Sequence, residues 1–85
     1  QMALYAERNG DRLTVHAHAI REQQVALVVS QGDQELSRQT MVISPNRPLH
    51  LELGLRGNLR GDARVMILRP SGEVIIDQTV PSPGG

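Results

Sequence analysis

Hydrophobic residues along the chain gather into seven short segments, and a turn signal separates each from the next. Between residues 12 and 20 the alternation is strict. Leu13, Val15, Ala17 and Ala19 fall on one side, and Thr14, His16 and His18 on the other. A period of two over this length predicts a half-buried strand. The same pattern recurs where Leu49, Leu51, Leu53 and Leu55 alternate with His50, Glu52 and Gly54. Residues 63–69 place Val65 and Ile67 on one face and Met66 and Leu68 on the other. The run Val25-Ala26-Leu27-Val28-Val29 is apolar throughout and predicts the most buried strand of the fold. Weaker alternation over residues 2–8 and 73–80 supplies a first and a last strand. Residues 36–43 are polar at their centre, Ser37-Arg38-Gln39-Thr40, which suits a sheet edge where charge discourages unwanted pairing.

The breaks have turn chemistry. Asn9-Gly10-Asp11 carries the strongest short hairpin signal, and Gln31-Gly32-Asp33 turns the chain again. Ser44-Pro45-Asn46-Arg47-Pro48 is a rigid loop whose prolines donate no backbone hydrogen bond. Residues 56–62 hold two glycines and an asparagine and predict a loop, and Pro70-Ser71-Gly72 a tight turn. No segment has the period of a helix. Seven short strands with connections of this length predict a seven-stranded immunoglobulin-like antiparallel β-sandwich over residues 1–80, with 81–85 as a flexible Pro/Gly tail. The expected core is Leu13, Val15, Val25, Leu27, Val29, Leu49, Leu51, Leu53, Val65, Ile67, Val74 and Ile76. The Cys…Trp…Cys set of antibody domains is absent, and a small open barrel is the alternative architecture.

Composition narrows the chemistry. The chain has 85 residues, enough for one domain. A core this thin leaves a net stability of about 3–5 kcal/mol. There is no cysteine, so disulfides, thiolate zinc sites and thiol redox chemistry are excluded. Nine arginines balance nine carboxylates, which removes bulk attraction to nucleic acid or an anionic membrane. Tyr5 is the only aromatic residue, so base stacking has no platform. No apolar run is long enough for a transmembrane helix, and membrane insertion is not expected.

Three groups of side chains deserve weighing. His16 and His18 share one strand face, and His50 and Glu52 share another. In an immunoglobulin-like sandwich the second and fifth strands are sheet neighbours, so the four form a weak candidate site for zinc or copper. The simpler reading is a polar, solvent-facing strand surface, and no cofactor is expected. Enzyme activity is not expected either. The serines at 30, 37, 44, 71 and 82 lie in no Gly-x-Ser-x-Gly elbow, and the carboxylates are scattered singly. Arg56, Arg60, Arg64 and Arg69 face only Asp62 across residues 56–69. This locally basic stretch is the candidate client-binding surface, able to steer an acidic or polar partner. Its plain alternative is a charged rim that confers solubility.

The order of motifs resembles a known family. Ser44-Pro45-Asn46-Arg47-Pro48-Leu49 leads into the leucine-alternating strand. Gly61-Asp62-Ala63-Arg64-Val65, Ser71-Gly72-Glu73 and the closing Pro81-Ser82-Pro83 then follow in register. With Asn9-Gly10-Asp11 and the run Val25 to Val29 in the first half, the chain looks like the CsgC/CsgH family of curli assembly proteins over nearly its whole length. The resemblance implies a periplasmic, immunoglobulin-like sandwich, its signal peptide removed. It also implies a chaperone-like role, keeping the unfolded curli major subunit from polymerising into amyloid before export, without cofactor or turnover. The CsgC branch carries a Cys-x-Cys pair near the positions of Arg21 and Gln23. This chain has none, which makes it more similar to the CsgH branch and any inhibition noncovalent. A monomer is expected. The alternatives are an immunoglobulin-like adhesion or structural module of a larger surface protein, and a small periplasmic metal-binding protein.

Overall fold

The computed structural model describes residues 2–55 and 61–81. The described chain is all-β, with no helix. Its seven strands are β1 (Met2–Asn9), β2 (Arg12–Ala19), β3 (Gln23–Gln31), β4 (Gln34–Ile43), β5 (Leu49–Gly54), β6 (Ala63–Leu68) and β7 (Val74–Val80). They form two antiparallel sheets, one in the order β1-β2-β5 and the other β4-β3-β6-β7. The chain builds the β1-β2 hairpin, crosses to the second sheet for β3 and β4, returns for β5, and crosses again for β6 and β7. No ladder joins the two sheets among the described residues, so the architecture is a sandwich and not an open barrel.

The core lies between the inner faces. Leu13, Val15 and Ala17 of β2 meet Leu27 and Val29 of β3 and Val65 and Ile67 of β6, all with no exposed surface. Each large aliphatic side chain fully buried in this way contributes about 1.5–3 kcal/mol. The two sheets put these residues at their centres because β2, β3 and β6 are flanked on both sides, as their strict alternation or continuous hydrophobicity predicts.

The core departs from the expected set at four positions. Leu51, Leu53 and Ile76 are only partly buried, and Val74 is 48% exposed. The β6-β7 ladder shifts register at Ile67/Leu68, pairing Ile67 with Ile76 and Leu68 with Val74. That bulge inserts Ile75 as an extra residue. Val74 therefore shares the outer face with Leu68, while Ile75 packs toward the core. Ala17, Ala19, Ile43, Leu55, Ala63 and Val80 join the expected residues in the buried cluster.

Two hairpins use one device. Asn9 pairs with Arg12 and Gln31 with Gln34, so the loops are Gly10-Asp11 and Gly32-Asp33. Gly10 and Gly32 have φ of 61° and 59°, and no non-glycine residue among those described has positive φ. Glycine alone in the left-handed region at the first loop position is the mark of a type II′ turn, whose twist matches that of the strands. Gly32 has a second constraint. Gly61, at φ 122°, lies so close that a Cβ on it would sit 2.8 Å from the Gly32 Cα. The Gly32 amide donates to the Asp62 carbonyl at 3.3 Å, tying the β3-β4 turn to the start of β6.

Candidate functional site

The outer face of the three-stranded sheet carries the histidines. Strand pairing places Tyr5 opposite His16, and His16 opposite His50, so the three rings form one row across β1, β2 and β5. The Nδ1 atoms of His16 and His50 are 3.1 Å apart, with ring centroids 4.4 Å apart and planes at 66°. Tyr5 lies 6.4 Å from His16, centroid to centroid. Below this row, Glu52 Oε2 is 3.6 Å from His50 Nε2, and Glu52 Oε1 accepts from Arg12 at 3.0 Å. The expected convergence of β2 and β5 is therefore present for His16, His50 and Glu52. His18 stands apart. It pairs with Ala3 of β1 and lines an open depression with Met2, Ala3, Ala19 and Ile20. Among the described residues, no group of three or more histidine, cysteine or acidic side chains is arranged to hold a metal ion.

Of the four arginines in the candidate client-binding stretch, the structure describes two. Arg56 and Arg60 lie outside the described residues. Arg64, on the outer face of β6, donates through Nε to Asp77 Oδ1 at 2.8 Å from the neighbouring strand β7. This hydrogen bond holds the Asp77 carboxyl below its ordinary value and raises the Arg64 guanidinium above its own. Arg69 Nε lies 3.3 Å from Glu73 Oε1 across the β6-β7 turn. A count along residues 56–69 finds one carboxylate. The fold supplies two more from β7 and its turn, so Arg64 and Arg69 each have a carboxylate partner.

The outer face of the four-stranded sheet holds a feature that the arginine spacing did not point to. Val28 pairs with Met66 and with Arg38, and Ala26 pairs with Leu68 and with Thr40. These residues share the outward face, yet Val28 is only 2% exposed because its cross-strand neighbours cover it. Beside it lies a depression of about 310 Å³ whose lining includes Ala26 and Leu68 on the floor and Arg38, Thr40, Arg69 and Pro70 at the sides. Arg38 is held in place by Glu35, to which it donates at 3.2 and 2.9 Å. That pairing lowers the Glu35 carboxyl from its ordinary value. The sequence signal for this face was the unbroken apolar run of β3, which buries one face in the core and leaves the other to form an apolar floor.

Comparison with known proteins adds one match. The family described as YphG-like protein, second domain, matches residues 1–78, which takes in six strands and most of the seventh. No curated protein and no solved structure matches the chain.

Proposed function

Given that the chain belongs to the family of YphG-like second domains, we propose that it is a noncatalytic binding module of a multidomain protein. Its working surface in this reading is the outer face of β4-β3-β6-β7. The observation that carries the reading is the apolar floor of Ala26 and Leu68, set between the guanidinium groups of Arg38 and Arg69. Apolar surface supplies attraction without direction, and the flanking Arg38–Glu35 and Arg69–Glu73 pairs give a partner segment charged groups of both signs to register against. The family description supports it too, since a second domain has neighbours to engage. The test is an amide-shift comparison of the isotopically labelled sandwich alone and joined to the flanking sequence of its parent protein. The reading expects changes concentrated at Ala26, Thr40 and Leu68. Shifts unchanged on that face, or changed only on the β1-β2-β5 sheet, overturn it.

A second reading follows the resemblance to the curli assembly proteins. Here the sandwich is a periplasmic inhibitor that engages an unfolded, amyloidogenic curli subunit. Its support is the open edge of β4, a strand of 10 residues with Val42 53% exposed, against which an extended chain can transiently add. Purified curli subunit followed by thioflavin fluorescence tests it. This reading expects a long lag at substoichiometric amounts of the sandwich. A time course matching that of an unrelated sandwich domain removes it.

A further inference from the structure

The row Tyr5, His16, His50 is used by neither reading above, and it lies on the opposite sheet from the proposed binding face. Its geometry is specific. A neutral imidazole has one ring N–H, so at 3.1 Å one Nδ1 of the His16–His50 pair donates and the other accepts. The two ring nitrogens thus face each other and share one proton. The strand ladder sets their approach, because His16 and His50 are direct cross-strand partners. The backbone register is therefore already set when something else takes the proton's place.

A transition-metal ion fits there. Imidazole nitrogen sits about 2.0–2.1 Å from such an ion. Two such bonds at a tetrahedral angle put the nitrogens about 3.3 Å apart, and at a right angle about 2.9 Å. The observed 3.1 Å lies between them, so an ion seated to one side of the Nδ1–Nδ1 line asks both rings to turn toward it with little change in the separation of the nitrogens. Glu52 strengthens the arrangement from behind. Its carboxylate is 3.6 Å from His50 Nε2, the ring nitrogen facing away from His16. A negative charge there favours the proton on Nε2 and leaves the Nδ1 lone pair free, the orientation that an outer carboxylate gives to a metal-binding histidine. Arg12 fixes the other oxygen of Glu52 at 3.0 Å. Side-chain exposures of 54% for His50 and 50% for Glu52 leave room for water to complete the coordination.

We propose that His16 and His50 chelate one divalent transition-metal ion of the imidazole-preferring class, with copper(II) bound more tightly than nickel(II) or zinc(II) as the general order of such complexes requires. Glu52 is a positioning residue, and His18 takes no part.

The protein supplies its own reporter. Tyr5 is its only aromatic side chain, 6.4 Å from His16, so copper(II) bound at the pair quenches the intrinsic fluorescence. The experiment uses tag-free protein, copper(II) followed by tyrosine fluorescence, and zinc(II) followed by calorimetry. Expected is saturable binding of one ion per chain. His16→Gln and His50→Gln should each weaken it by roughly tenfold or more, and Glu52→Gln by about tenfold. His18→Gln should leave it unchanged. All four positions are on the outer face, so circular dichroism should show every variant folded. Absence of saturable binding, equal affinity in the His16 or His50 variants, or an equal loss in the His18 variant would each overturn the proposal.

Discussion

A series of three glycine substitutions separates backbone strain from close packing. Gly54 has an ordinary φ and open space where a Cβ would go. Gly54→Ala should therefore be neutral or stabilising by about 0.4–1 kcal/mol, through the smaller entropy of the unfolded chain. Gly72 has φ 96° with nothing within 4 Å. Gly72→Ala should cost about 1–2 kcal/mol, the penalty for an L-residue forced to positive φ. Gly61 combines φ 122° with a position where a new Cβ would lie 2.8 Å from Gly32 Cα and 3.0 Å from Gly32 N. Both opposing atoms are backbone, and the turn that contains them needs its own positive φ, so neither side can give way cheaply. Adding the strain of a filled space, about 1–3 kcal/mol, brings Gly61→Ala to a cost of about 2–5 kcal/mol. A domain of this size holds only about 3–5 kcal/mol, so this variant should give up a large part of its stability. Far-ultraviolet circular dichroism in a urea titration, with thermal melts alongside, gives the ranking. At about 4–8 °C per kcal/mol, Gly72→Ala melts several degrees low and Gly61→Ala tens of degrees low. A Gly61→Ala stability within experimental error of Gly72→Ala would refute the packing of the β3-β4 turn against the start of β6.

Further predictions concern the core, the bulge and the ion pairs. Leu27→Ala, at a position with no exposed surface, should cost about 2–5 kcal/mol in the same urea titration. Val74→Lys should stay within about 0.5 kcal/mol of the parent, because the bulge turns this residue outward, whereas Val25→Lys should prevent folding. Asp77 is held below its ordinary value of about 3.9 by Arg64, so its contribution is complete above that pH and is lost as pH falls through its lowered folded value. Melts of the parent and of Asp77→Asn from pH 7 down to pH 2 should therefore converge in acid, and a constant gap between them would contradict the pairing.

The strands were legible because alternation is a direct consequence of one buried face. Leu13, Val15 and Ala17 sit in the core as their spacing requires, and Val25, Leu27, Val28 and Val29 are buried, with Ala26 between them half-buried. The hidden parts have local geometric causes. Nothing in Glu73-Val74-Ile75-Ile76 announces a bulge, since all three apolar residues suit a strand equally well. Asn9-Gly10 signalled a hairpin correctly, yet the turn itself is Gly10-Asp11, because pairing of Asn9 with Arg12 fixes the frame. For the candidate sites, the pairing of β2 with β5 was enough to bring His16 to His50. His18 is two residues away on the same strand and faces Ala3 alone, because the β2-β5 ladder ends at Ala17 opposite Leu49, a register that spacing within β2 does not reveal. Arg64 and Arg69 looked unopposed because their partners, Asp77 and Glu73, come from the following strand and its turn.

If the sandwich is one domain among several, the polypeptide that carries it is much larger than the sandwich, and its size decides the matter. An antibody raised against the folded domain, used on a denaturing blot of total protein from the source cells, measures that size. The expected result is a reactive chain several times heavier than the 9.3 kDa of this sequence. A single species at about 9.3 kDa would contradict it, and would favour a free-standing small protein such as the curli-inhibitor reading requires.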